Sequence, residues 1–152
     1  MSKLSIKNLS HRNWIIVVAS FVALICYFLP WFQVIFGGSI VFDSGSGLSL
    51  SLYEMTSSGI RGALLFATPI AAAISLVLCY AYLRQDRSKK IIPIIQFFLG
   101  IVGLVPFVPF YFMMGGASNA EVYISYFFLI NVLAMIGIPI GALVSYIEIH
   151  RQ

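Results

Sequence analysis

The sequence predicts an all-α membrane protein: a four-transmembrane-helix bundle, N-in/C-in, with a small β-prone extracytoplasmic cap after helix 1. Three observations carry that prediction. The charge-free runs Asn13–Phe42, Gly62–Leu83, Ile91–Ala120 and Val122–Ile147 each exceed the roughly 20 residues an α-helix needs to cross a bilayer. The chain is 61% hydrophobic and 9% charged, whereas a soluble domain carries about 25% charged residues. All basic residues but Arg61 fall on one side of the runs: Lys3, Lys7 and Arg12 before the first, Arg84, Arg87, Lys89 and Lys90 between the second and third, Arg151 after the last. By the positive-inside rule that side is the cytoplasm. A β-barrel is excluded, because barrel strands alternate apolar and polar residues over about 10 positions. The expected organisation is one integral membrane domain over 1–152, with spans at about 13–32, 62–83, 91–112 and 121–147 and an outer loop at 33–61.

Span 1 opens near Ser10, a fitting N-cap, and meets Pro30, which kinks or ends it. Tyr27, Trp31 and Phe32 cluster there as an outer aromatic belt would, and Trp14 marks the inner belt. The apolar run is too long for a signal-peptide core and no A-x-A-like site follows it, so it reads as a retained span. In the outer loop, Trp31–Phe36 and Ile40–Asp43 flank Gly37-Gly38-Ser39 and read as a β-hairpin. Ser44-Gly45-Ser46-Gly47 is a joint. Leu48, Leu50 and Leu52 alternate with serines as a third short strand would, while Ser51 and Glu54 also fit a capping box that opens a short helix.

Span 2 contains Pro69 and a stripe of small residues, Ala67, Ala71, Ser75 and Cys79, that lets another helix approach closely. The short loop 84–90 makes spans 2 and 3 an antiparallel pair. In span 3, Pro93 suits the first turn, Gly100 and Gly103 offer close packing, and Pro106 and Pro109 distort the outer end. Ser118-Asn-Ala-Glu121 reads as a capping box opening span 4, whose own stripe is Gly137, Gly141 and Ser145. Residues 67–75 parallel 137–145, each with Pro-Ile followed by small residues and Ser. They read either as an internal repeat or as independent convergence on residues common in membrane helices.

The junction Tyr27-Phe-Leu-Pro-Trp-Phe32 resembles small uncharacterised bacterial four-span membrane proteins. The resemblance covers that junction alone and implies a bacterial cytoplasmic membrane but no activity. The plan of four helices, inner termini and a larger β-prone first outer loop is also similar to claudin-type proteins. Of the claudin Trp…Gly-Leu-Trp…Cys…Cys pattern only Trp31 is present, so that likeness is architectural.

Chemistry-bearing residues are scarce. The buried polar candidates are Gln96 and Asn131, each able to hydrogen-bond across helices for about 1 kcal/mol or to meet a quinone, pigment or lipid headgroup. Arg61, Glu54 and Glu121 are outer-loop ion-pair candidates. Cys26 and Cys79 lie at opposite ends of their spans, too far apart for a disulfide. No spacing fits a metal site, a catalytic triad or a phosphate loop. The expectation is therefore no catalytic residue, no cofactor and no nucleic-acid partner. The expected protein is a non-enzymatic accessory or structural subunit of a larger membrane complex, in contact with membrane lipids and other subunits. An oligomeric small transporter or channel is the first alternative, and a lipid- or pigment-binding membrane protein the second.

Overall fold

The computed structural model describes residues 11–36, 39–51, 60–84, 91–108 and 120–151. They are mostly helical. Helix α1 (His11–Phe28) leads into strands β1 (Pro30–Phe36) and β2 (Ser39–Ser46) and a helical turn at 47–51. Helices α2 (Ile60–Leu65), α3 (Ala67–Arg84) and α4 (Ile91–Leu104) follow, then strand β3 (Ala120–Ile124) and helix α5 (Tyr126–Arg151). Two helical stretches are long and apolar enough to cross a membrane: Ala63–Tyr82, mean hydropathy 2.1, and Tyr126–Ile147, mean hydropathy 2.4. Trp14–Phe28 and Ile91–Leu104 are apolar but shorter.

Prolines set the element boundaries. Pro30 has no N–H for the Cys26 carbonyl, and Leu29 before it is pushed out of helical geometry, so α1 stops at Phe28. The first helix is thus shorter than the expected 13–32, and Trp31 and Phe32 belong to β1. Pro69 removes the donor to Leu65 and crowds its carbonyl; the helix breaks at Phe66 and resumes with Ile70 N–H bonded to Phe66 O at 3.2 Å. Pro106 ends α4 in the same way. The Val102 carbonyl that it leaves without a helix donor is taken by Val105 N–H at 3.3 Å. The outer part of the expected third span, with Pro109, lies partly outside the described residues. Pro139 stays inside α5.

The strands form one sheet in the order β2-β1-β3, antiparallel throughout. β1 pairs with β2 from Pro30↔Ser46 to Phe36↔Ser39, with register shifts between, and with β3 from Phe32↔Ile124 to Phe36↔Ala120. The hairpin lies where the sequence puts it, although β2 runs on through Ser44–Ser46. Leu48 and Leu50 are in the helical turn and not in a third strand: Ser46 Oγ accepts the Ser49 N–H at 3.2 Å and caps that turn. The third strand comes instead from Ala120–Ile124, where a capping box at Ser118–Glu121 and the start of span 4 were expected. The last helix begins at Tyr126, capped by Ser125, whose Oγ accepts the Phe127 N–H at 3.2 Å and whose carbonyl accepts the Phe128 N–H at 3.1 Å.

The four long helices pack in a ring in which α5 touches α1 and α4, and α3 touches the same two from the other side, while α3 and α5 meet only slightly across the centre. Neighbours are antiparallel: Gly141 lies on Ile16 and Gly137 on Ala19, whereas Gly100 lies on Pro139 and Gly103 on Met135. The start of α1, the end of α3, the start of α4 and the end of α5 therefore share one end of the bundle, and the sheet caps the other.

Candidate functional site

The most elaborate chemistry in the described residues sits between the sheet and the bundle. Tyr27 at the end of α1 and Trp31 on β1 are 1% and 0% exposed; an aromatic belt at a lipid–water boundary would leave them open. The carbonyl that Pro30 deprives of its helix donor is claimed by the Trp31 indole, whose Nε1–H donates to Cys26 O at 2.7 Å. Trp31 packs on Phe107 and Phe128, with ring centroids 5.5 Å from each, and Phe107 meets Phe128 edge-on at 5.4 Å. Such pairs add about 0.5–1.5 kcal/mol beyond burial. The helical turn closes over this cluster. A Cβ on Gly47 would lie 2.6 Å from the Trp31 ring and 2.7 Å from Tyr27, so only glycine lets the backbone come so close. Ser51 Oγ–H donates to Gly47 O at 2.6 Å. Having spent its one proton, Ser51 accepts from Tyr27 O–H at 2.6 Å.

Deeper in the bundle the polar groups are hydroxyls and amides. Among the described residues these are Ser20, Thr68, Ser75, Gln96, Asn131 and Ser145. Gln96 Nε2 donates to Ser75 O at 3.1 Å and to Cys79 Sγ at 3.2 Å, joining α4 to α3. Thr68 Oγ1–H donates to Gly103 O at 2.9 Å. Asn131, fully buried, has no hydrogen-bond partner in the protein for either its amide nitrogen or its oxygen. The hydroxyls of Ser20 and Ser75 are likewise unpaired.

Of the small residues singled out in the sequence, Ala71, Gly100, Gly103, Gly137 and Gly141 lie against neighbouring helices. Ala67 is half-buried and Ala71 buried, the latter meeting Gly103, where an added Cβ would be 3.2 Å from its methyl and fall on the Met135 terminus. Gly100 lies under the Pro139 ring. A Cβ added to Gly137 would lie 3.1 Å from the Ala19 methyl, and one added to Gly141 would lie 2.7 Å from Ile16. Ser75 lends its carbonyl to Gln96, and Ser145 bonds within its own helix to Gly141 O at 2.9 Å. Gln96 and Asn131 serve different places, one with two partners and one with none. Glu54 lies outside the described residues, as do the side chains of Arg61 and Glu121. Both cysteines are buried and free. Among the described residues no three His, Cys, Asp or Glu side chains cluster to hold a metal ion. Thr68 and Tyr27–Ser51, not foreseen as a polar set, carry no sequence signal of their own; only the tertiary contact defines them.

No protein-family model, curated protein or solved structure matches this chain.

Among the described residues, apolar depressions lie on the lateral surface. A shallow groove of about 530 Å³ runs between α1 and α5, with Trp14, Val18 and Val22 facing Ile130 and Leu133. A smaller one of about 170 Å³ lies between α4 and α5, beside Phe97 and Tyr146. By contrast the centre is filled: Ala23, Ala72, Met135, Ile138 and Ala142 are fully buried.

Proposed function

We propose that this chain is a four-span integral protein of a bacterial cytoplasmic membrane, with both termini in the cytoplasm. Within that membrane it acts as a non-enzymatic accessory or structural subunit of a larger assembly. α1 and α4 count as spans because each continues a charge-free run, Asn13–Phe42 and Ile91–Ala120. The orientation is supported by Arg12, Arg84 and Arg151, whose positions fall at the sheet-free end of the bundle, and by the charge asymmetry of the sequence, in which all basic residues but Arg61 lie on one side of the apolar runs.

The observation that carries the subunit reading is the contrast between interior and flank. The axis is packed with Met135, Ile138 and small residues, and the end under the sheet is plugged by Trp31, Phe107 and Phe128. Such packing among the described residues supports a scaffold over a solute path through a single copy of the bundle. The flanks expose large side chains such as Phe21, Phe98 and Leu133, the last lining the α1–α5 groove, a surface suited to other helices.

The test is a purification from native membranes in mild detergent, with mass spectrometry of whatever co-elutes. A stoichiometric membrane partner supports the reading. A lone monomer from the same preparation overturns it.

A further inference from the structure

We propose that the groove between α1 and α5 holds an acyl chain of an anionic phospholipid from the cytoplasmic leaflet, with the headgroup beside Trp14. The groove lies where small residues sit between large ones. Ala19 and Ala134, each 8% exposed, form its floor, and Val18, Ile130 and Leu133 stand open as its walls. Gly137 against Ala19 sets α5 antiparallel to α1, so Ala134 is level with Val22 and Ile130 lies about a turn beyond. From Trp14 to Ile130 the groove then follows the bundle for about 18 Å, at about 1.5 Å per residue. One leaflet of the hydrocarbon core is roughly 15 Å deep. A volume of about 530 Å³ with apolar walls accepts a hydrocarbon chain of that length.

The end of the groove at Trp14 identifies the occupant. Trp14 is 46% exposed, and its indole N–H has no acceptor among the described residues. Arg12 precedes it by two residues in α1, and Arg84 and Arg151 close α3 and α5 at the same end of the bundle. A partner helix laid over the walls would leave this donor and these charges unanswered. An anionic phospholipid answers both. Its phosphate or ester oxygens accept from the indole, and its charge offsets the basic end, as anionic lipids do between membrane helices on the cytoplasmic side. Indoles favour this headgroup level. The lipid takes the groove alone, and exposed faces such as that of Phe98 on α4 remain for partner helices. The inference rests on the membrane orientation given above and is independent of the subunit reading.

Trp14 is also the reporter. The chain has two tryptophans, and the other, Trp31, is 0% exposed at the sheet end. The full-length protein is reconstituted into phosphatidylcholine vesicles. A fixed fraction of the lipid is brominated near the headgroup end of its chains, either as phosphatidylglycerol or as phosphatidylcholine. Bromine quenches a tryptophan that it touches. Brominated phosphatidylglycerol is expected to quench severalfold more strongly than brominated phosphatidylcholine. Trp14→Phe should abolish that difference, Val18→Phe should shrink it by filling the groove, and Arg12→Gln or added salt should shrink it by weakening the charge attraction. Equal quenching by the two lipids means ordinary boundary lipid and overturns the proposal. No quenching by either, as when a second copy or a partner covers the groove, overturns it too, as does a preference that survives Val18→Phe. Protease access to an N-terminal tag in inverted membrane vesicles checks the orientation separately, so a wrong topology and an empty groove give different results.

Discussion

Replacing Gly100 with alanine sets a methyl group on the Pro139 ring, 3.0 Å from both its Cγ and its backbone nitrogen. Neither can turn aside: the ring is fixed to the backbone of α5, so α4 and α5 must separate. Overpacking of this kind costs about 1–3 kcal/mol, and a rigid partner puts it at the upper end. Alanine returns about 1 kcal/mol through its better helix propensity. The net loss is about 2 kcal/mol, which for a chain of this size lowers the melting midpoint by about 4–8 °C. The protein supplies its own probe, because Cys26 and Cys79 are buried free thiols that a fluorogenic maleimide reaches only on unfolding. Gly103→Ala is the comparison. Its new methyl meets the flexible end of Met135, which can move, so the same assay should read a smaller loss. Pro139→Ala removes the obstacle, and the double variant should recover at least about 1 kcal/mol of coupling. An unshifted Gly100→Ala midpoint, or strictly additive Gly100→Ala and Pro139→Ala effects, would refute the reasoning.

The thiol-unmasking melt also reads the other contacts. Ser51→Ala should cost about 2 kcal/mol and Tyr27→Phe about 1 kcal/mol, because the first leaves the Tyr27 hydroxyl without its acceptor while the second removes only one donor; the reverse order would show the relay is drawn the wrong way. Thr68→Val should lose about 1 kcal/mol through its bond to Gly103 O, and an unchanged midpoint would mean that this bond is made in name only. Trp31→Phe should lose about 1–3 kcal/mol, since it both withdraws the indole N–H from Cys26 O and thins the ring cluster; a value within error of wild type would argue against a plug at this end.

The helix centres were legible because burying charge in an apolar segment is costly, and Asn13–Phe42 or Val122–Ile147 contain none. Their ends were less so. Pro30 offered a kink or a stop, and the indole that satisfies the Cys26 carbonyl decides for a stop. Ala120–Ile124 became a strand because β1 offers it an edge, a partner remote in sequence that no local pattern at Ser118–Glu121 announces. Tyr27 and Trp31 suit a lipid boundary and a buried cluster equally by residue type; only their burial separates the two. The glycines at 100, 103, 137 and 141 announced close approach but not what approaches, and Gly100 against Pro139 or Gly141 against Ile16 is a fact of the assembled bundle.

The central position of β1 has a consequence for the order in which the protein is made. One edge of β1 is covered at once by β2, its neighbour in the chain, but the other waits for Ala120–Ile124. Translation delivers the N-terminal segments first. Until the last strand emerges, one edge of β1 is unpaired, Trp31 lacks Phe128, and the Trp31 carbonyl lacks the Ser125 N–H that later binds it at 2.8 Å. A nascent chain stopped before residue 120 thus displays an open sheet edge and an uncovered indole, the features by which quality-control proteases and chaperones tell an unfinished protein from a finished one.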